Sequence, residues 1–421
     1  MTTGSPNLSA ADRVEGLATV WSEATRNYPM WHRLPDLDWD AAFRERIEAV
    51  STAETLEAYY GILSEFAAIL RDSHVFVVAP TCLTDRLGAP PVRLWGFDGG
   101  FTIVGFEGSL SEASPIALGD RLVAIDDLPV EAHVGQLASR ISAATDGFRK
   151  VLLARELLKG GAGSEVYMTL AKPAGTTYSM RLVRQSPAEP GGTWVRYGPL
   201  CVDDRVVVER HEPGVGVFKL SSFMNADAPA QFDAGLVELG PLAGLVLDVR
   251  VNTGGNSTFG DAIIGRLIAD EASQLPERRA FYSGTLRSWG EGADGTGIVW
   301  EDIEGESIAA RRDLPTFDGP VAVLVSRATH SAAEDFAGAL EGIGRARLVG
   351  ESTAGSTGNA VRGPLPGGGQ FWICSRYQTL HDGTEFIGLG IRPDVEVRTT
   401  IQDVAEGRDP VLERAIEEVT A

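Results

Sequence analysis

At 421 residues the chain is long enough for two or three domains with a large core, and its 43% hydrophobic and 23% charged content is that of a globular protein. A formal net charge of −21 argues against nucleic acid and anionic membrane as partners, because both repel an acidic surface. Three cysteines, Cys82, Cys201 and Cys374, stand far apart with no CxxC spacing, so neither a disulfide framework nor a metal site is expected.

The first residues, MTTGSPNLSAADRVEG, have no basic segment followed by an apolar one. No stretch approaches about 18 uninterrupted apolar residues, so no membrane span is read and a cytoplasmic location is expected. Residues 9–71 carry the helical period. SAADRVEGLATVWSEATRNY opens on an N-cap at Ser9, and DWDAAFRERIEAV and TAETLEAYYGILSEFAAIL follow. Residues 1–80 are thus predicted to form a helical cap that ends at RDSHVFVVAP (71–80), where the period becomes that of a strand.

Between residues 85 and 190, short strands and glycine turns dominate (VRLWGF, FTIVGF, DRLVAID, SEVYMTLAKPAGTTYSMRLVR). The helical stretch 134–160 interrupts them. From 195 to 421 strands alternate with helices: GVGVFKLSSF, AQFDAGLVELG, AGLVLDVR, FGDAIIGRLIAD, VAVLVS and RATHSAAEDFAGAL. That alternation predicts an α/β core with a mostly parallel sheet. Residues 275–318 are charged and glycine-rich, and read as a lid or pocket wall.

Three turns carry the chemistry. VAVLVS (321–326) delivers Ser331 to a strand-to-helix turn, where unpaired backbone N–H groups favour an oxyanion. A plain helix cap, with Glu334 closing a capping box, explains the same serine. LVLDVRVNTGGN (245–256) ends a buried strand in the pair Gly254 and Gly255. Either glycine, with Ala332, supplies the two N–H donors of an oxyanion hole. LVGESTAGSTGN (348–359) brings a third polar loop, and TEFIGLGIRPDVEV (384–397) reads as a closing strand.

In that order, VGVFKLSSF, GLVLDVRVNTGG, VAVLVSRATHSAAEDFAGALEGIGRARLVGESTAGS and GLGIRPDVEV resemble the carboxy-terminal processing proteases and their tricorn-type relatives. GDRLVAIDDLPV (119–130) is similar to part of a PDZ domain. The resemblance implies a ClpP/crotonase-like β-β-α catalytic core, a PDZ-like module and an acyl-enzyme at Ser331. It implies no cofactor, a peptide or unfolded-protein substrate, and a homo-oligomer as an open outcome. Processing proteases proper use a lysine base, but the matching position here is Ser356, which cannot take that role. The tricorn-type branch uses a serine–histidine pair after a helix, and LRDSHVFV supplies Ser73 and His74.

His74 is then the general base, with an acid limb expected near the usual histidine pKa of about 6.5. Ser73 is expected to orient its ring. Glu385, on the face of the expected closing strand, is expected to be the supporting carboxylate. His330 is set aside because neighbours in a turn diverge, and His381 is held in reserve. Two other readings remain: a non-catalytic ligand- or peptide-binding protein on the same fold, and an acyl-CoA hydratase-like enzyme needing no serine nucleophile.

Overall fold

The structure, a computed structural model, describes residues 8–186, 193–203, 205–292 and 295–421. Residues 1–7, which carry the start of the reading on leader peptides, lie outside it, as do 187–190 at the end of the β-rich segment and 293–294 in the expected lid.

The N-terminal segment forms three helices, Ala10–Asn27, Trp39–Ser51 and Leu56–Ala68. Ser9 and Asp12 satisfy each other's backbone N–H groups at the first N-terminus. Leu17, Val20 and Ala24, spaced by three and four, are buried on one face. Trp39 stacks on Phe66 with centroids 4.1 Å apart, locking the second helix to the third. The cap is not free-standing. Strand Phe76–Val78 pairs antiparallel with Gln370–Cys374, and the Tyr60 hydroxyl donates to Pro366 O and accepts from Gly369 N–H.

The segment that follows is an antiparallel sheet built on Val92–Phe97, Gly100–Glu107, Arg121–Ile125, Glu165–Ala171 and Thr177–Val183. Alternate residues Val166, Met168 and Leu170 are buried, as a half-buried strand requires. The predicted helical stretch is two helices, Val130–Ala138 and Asp146–Glu156. The break between them docks on the cap: Ser142 Oγ donates to Asp72 O, and Ala144 N–H donates to Ser73 Oγ.

The C-terminal part is a mixed α/β unit around a six-stranded sheet. Its order is Val207–His211, Val215–Lys219, Gly244–Asp248, Val321–Val325, Arg347–Gly350 and Val395–Glu396. All pairs are parallel except the first. Gly244–Asp248 and Val321–Val325 are buried throughout, because helices cover both faces of a parallel sheet.

One expectation is refined and another needs correction. The segment read as a lid or pocket wall contains regular strands. Glu277–Tyr282 and Ile298–Ile303 form a hairpin, which Tyr377–Gln378 extends. The closing strand is only Val395–Glu396; residues 384–391 are irregular with a turn at 387–389, and Gly388 and Gly390 have φ 79° and 83°. Among the described residues no helix is long and apolar enough to cross a membrane.

Candidate active site

Parallel strands deliver loops at their carboxyl ends, and three such loops meet here. After Val321–Val325 the chain makes a tight turn held from both sides. Ser326 Oγ donates to Arg250 O at 2.6 Å, Thr329 Oγ1 to Val249 O at 3.0 Å, and His330 N–H to Asn252 O at 3.1 Å. The turn forces Ser331 to φ 59°, ψ −127°, a conformation that costs a residue with a Cβ about 1–3 kcal/mol. A plain N-cap has extended geometry, so this strain separates Ser331 from an ordinary helix cap. The helix Ala332–Gly342 begins at the next residue.

Ser331 Oγ lies 3.0 Å from His74 Nε2. The other ring nitrogen, Nδ1, is 2.8 Å from Ser356 Oγ, and Ser356 Oγ is 2.9 Å from Asp72 Oδ1. The same carboxylate oxygen accepts the backbone N–H of His74 at 2.8 Å. Because a carboxylate only accepts, Ser356 O–H donates to Asp72, so Ser356 Oγ accepts from His74 Nδ1–H. Nε2 is then the bare nitrogen, facing the hydroxyl of Ser331. The four groups form one directed chain, Ser331 to His74 to Ser356 to Asp72.

Burial sets the charge states. Asp72 and Ser356 are fully buried, and His74 is 9% exposed. Desolvation, with a smaller push from the Arg376 charge, lowers the His74 pKa to about 4, so the ring is neutral at pH 7. Burial raises the Asp72 pKa, while the His74 N–H, the Ser356 hydroxyl and the Arg33 charge oppose that rise. The His330 ring is sandwiched between His74 and Phe148, with both centroids at 4.6 Å, and its Nδ1 faces Thr253 O at 3.3 Å. Burial, then the nearby His74, lowers its pKa to about 3. His330 therefore buttresses the His74 ring face on.

Glu334 does more than cap. Its carboxyl accepts from Ser331 N–H at 3.2 Å, Gly355 N–H at 2.8 Å, Ser356 N–H at 3.0 Å and the Thr353 hydroxyl. It thus ties the Ser331 turn to the loop that carries Ser356. Full burial pushes its pKa up to about 8 against those donors.

Gly254 packs so closely that a Cβ there would lie 2.7 Å from Ser331 Cβ and 3.1 Å from Ala332 N. Its own N–H is taken by Asn252 Oδ1 at 2.8 Å. Among the described residues the N–H groups of Gly255 and Ala332 have no partner. A cavity of about 540 Å³ adjoins the site, with Phe76, Ile141, Phe148 and Leu152 among its apolar walls and Thr253 and His330 at the catalytic end. Its other walls come from the cap strand and the inserted helices, and none from the described residues of 275–318.

The structure thus brings together Ser331, His74, Gly254, Gly255 and Ala332. It does not bring Ser73 or Glu385 to the ring. Ser73 Oγ is held by Ala144 N–H, because Ser73 and His74 are successive residues of a turn closed by Val75 N–H on Asp72 O and their side chains diverge. Glu385 lies in irregular chain rather than strand, so the period-2 argument does not apply; it pairs with His32 at 2.9 Å and its side chain is 38% exposed. The groups that sequence reasoning passed over are Asp72 and Ser356. A short aspartate two residues before His74 is a turn signal, since its side chain accepts the N–H two residues on. Ser356 was rejected as a base, which stands, but its role as a hydroxyl bridge was open to the same position. His381 faces Ser273 at 3.3 Å, away from the relay. Among the described residues no cluster of side chains suits a metal ion.

Residues 214–397 match the model of peptidase family S41. The carboxy-terminal-processing protease of Bartonella bacilliformis is 26% identical over 293 residues, 68% of this chain and 60% of that protein. The chloroplastic C-terminal processing peptidase of Tetradesmus obliquus is 29% identical over 261 residues, 58% of this chain and 48% of that protein. The chain therefore matches about half to three-fifths of the length of these relatives. Among solved structures, mature CPAF complexed with lactacystin superposes with a TM-score of 0.74 at 15% identity, over 98% of both chains. The photosystem II D1 C-terminal processing protease gives 0.50 at 20% identity, over 97% of each. At such identities these likenesses are of fold.

Proposed function

We propose, from the match of residues 214–397 to the model of peptidase family S41, that the protein is a serine peptidase acting on peptides or unfolded proteins through an acyl-enzyme at Ser331. The observation that carries this reading is the chain of hydrogen bonds from Ser331 through His74 and Ser356 to Asp72. His74 Nε2 takes the proton of Ser331 as Oγ attacks the scissile carbonyl. The imidazolium that forms is stabilised through Ser356 by the buried Asp72 carboxylate, which also fixes the tautomer. The same proton then passes to the leaving amine, and water deacylates the enzyme by the reverse path.

Gly255 and Ala332 are the oxyanion donors on this reading, since Gly254 N–H is already bonded. Gly254 serves instead by lacking a Cβ beside the nucleophile. The apolar cavity of about 540 Å³ next to His330 suits an apolar substrate side chain. The sheet of the C-terminal part is of the ClpP/crotonase-like kind on this view, and the antiparallel sheet before it is the PDZ-like module, able to receive a peptide by strand addition.

The test is hydrolysis of a mixed-sequence peptide pool, with products read by mass spectrometry. Wild-type protein is expected to generate new peptide ends, with apolar residues enriched at one position beside the cut, and Ser331→Ala to generate none. Equal products from both proteins, or none from wild type under any condition, would reject a peptidase.

A further inference from the structure

We propose that the protein binds a phosphate dianion, free or as the phosphate group of a small ester, in a cationic cavity behind the relay. The cavity holds about 620 Å³, and Arg33, Arg71 and Arg149 line it with Asp146 as the acidic residue among them. Three guanidinium groups against one carboxylate leave a charge of +2, which a dianion matches. Two of the guanidinium donors, Arg33 Nη1 and Arg149 Nε, are buried with no hydrogen-bond partner. Those two donors are out of solvent reach, so a guest in the cavity would meet the remaining edges of the guanidinium groups, which pair well with phosphate oxygens.

The other charged neighbours do not supply that acceptor. Asp146 reaches only Arg149 Nη1, at 3.2 Å, and its side chain is 92% exposed. Glu385 is paired with His32. Asp72 lies within the field of Arg33 but bonds Ser356 and its own chain. The helix Asp146–Glu156 also starts at this cavity. Thr145 Oγ1 accepts from Phe148 N–H, which leaves the N–H groups of Asp146 and Gly147 without partners among the described residues. Such a helix start favours an anion. Gly388 completes the floor, since a Cβ there would collide with the Arg33 guanidinium.

The cavity joins three parts of the chain. Arg33 and Arg71 come from the cap, Arg149 from the inserted helix, and Gly388 from the C-terminal turn. Its walls are tied to the loop of Ser356 by Thr145 Oγ1, which donates to Ala354 O, and Gly388 N–H, which donates to Gly355 O. A bound dianion would therefore strengthen the junction that holds the relay. The volume exceeds that of phosphate itself and leaves room for an organic group on one oxygen. The proposal concerns binding and does not depend on peptidase activity.

The experiment is calorimetric titration and thermal melting of the whole protein with inorganic phosphate, with phenyl phosphate, and with sodium chloride at matched ionic strength. Saturable binding near one per chain, with a rise in melting temperature of about 2 °C or more, is expected for at least one phosphate and not for chloride. Binding of both phosphates means that the free ion suffices; binding of phenyl phosphate alone identifies an ester site. In Arg71→Asn/Arg149→Gln the affinity should fall about tenfold or more. Asn is chosen because Arg71 has φ 49°, which asparagine tolerates. Should the double variant melt early in phosphate-free buffer, Arg149→Gln alone makes the same comparison. Heats no larger than those of chloride, or equal affinity in the variants, would overturn the proposal.

Discussion

At the scale of single residues, the account turns on which hydroxyl touches the histidine. Ser356→Ala removes the bridge between His74 and Asp72, and should lower kcat by about 10²-fold or more with little change in KM, since the missing bond matters most when the imidazolium forms. Ser73→Ala, in contrast, should stay within about threefold of wild type, because Ser73 holds Ala144 N–H and not the ring. Steady-state kinetics on both variants checks this pair; the reverse ranking would restore the original expectation for Ser73. The acid limb also moves. Burial holds the His74 pKa at about 4, so activity should stay level as pH falls from 8 to about 5 and then drop, not drop near 6.5 as an unperturbed histidine predicts. A pH profile of kcat/KM with its midpoint near 6.5 would count against the buried neutral ring.

Ser331 and His74 were legible at this scale because each sits in a short motif: a serine after a buried strand, and a serine–histidine pair after a helix. The relay beyond them was not. Asp72 and Ser356 are 284 positions apart in the chain and become neighbours only when the cap packs on the sheet. No local pattern ties them. Glu385 failed for a different reason: the closing segment looked extended, but Gly388 and Gly390 at positive φ bend it into turn.

At the scale of elements, close approach replaces hydrophobic pattern as the governing constraint. The loop after Gly244–Asp248 passes against the Ser331 turn, and Gly254 at φ 95° is where they touch. Gly254→Ala would introduce a left-handed alanine and a Cβ 2.7 Å from that of Ser331, so it should cost about 1–3 kcal/mol and most of the activity. Denaturant unfolding and peptide hydrolysis on the variant measure both effects; a stable, fully active variant would mean that the turn is looser than described. The paired glycines were legible as a close-approach signal, and the alternation of strands and helices gave the parallel sheet. The hairpin 277–303 was hidden by its composition: the exposed strand Arg278–Tyr282 offers no buried alternation to read.

At the scale of the whole molecule, the proposed active site is an interface. The cap brings His74 and Asp72, the sheet brings Ser331 and Ser356, and the inserted helices bring the break that holds the Asp72–His74 turn. Tyr60 fastens the cap to the hairpin that pairs with Phe76–Val78. Tyr60→Phe strands the buried Gly369 N–H and frees the part-buried Pro366 C=O, and should lower stability by about 1–3 kcal/mol in denaturant unfolding and reduce activity with it.

Two buried rings make the same interface pH-dependent. His74 and His330 have folded-state pKa values near 4 and 3, below the 6.5 of the unfolded chain, so the unfolded chain takes up those protons first. The stability they contribute is complete above about pH 6.5 and is lost as pH falls through 6.5 toward 4, at about 1.4 kcal/mol per pH unit for each ring. The buried Glu334 and Asp72 carboxyls, with pKa values raised by burial, act in the opposite sense, so the sign is checked by difference: in chemical unfolding at stepped pH, the stability of wild type relative to His330→Phe should fall between pH 6.5 and 4.5, and a relative stability that rises there would contradict a buried neutral ring.

The central claim, an activated Ser331 served by His74, is tested most directly by the rate of labelling with a fluorophosphonate probe, mapped by mass spectrometry. The account predicts one modified residue, Ser331, with no labelling in Ser331→Ala and a rate lowered by about 10²-fold or more in His74→Ala. Folded wild-type protein that takes no label, or labelling of Ser331 at the same rate without His74, would contradict it.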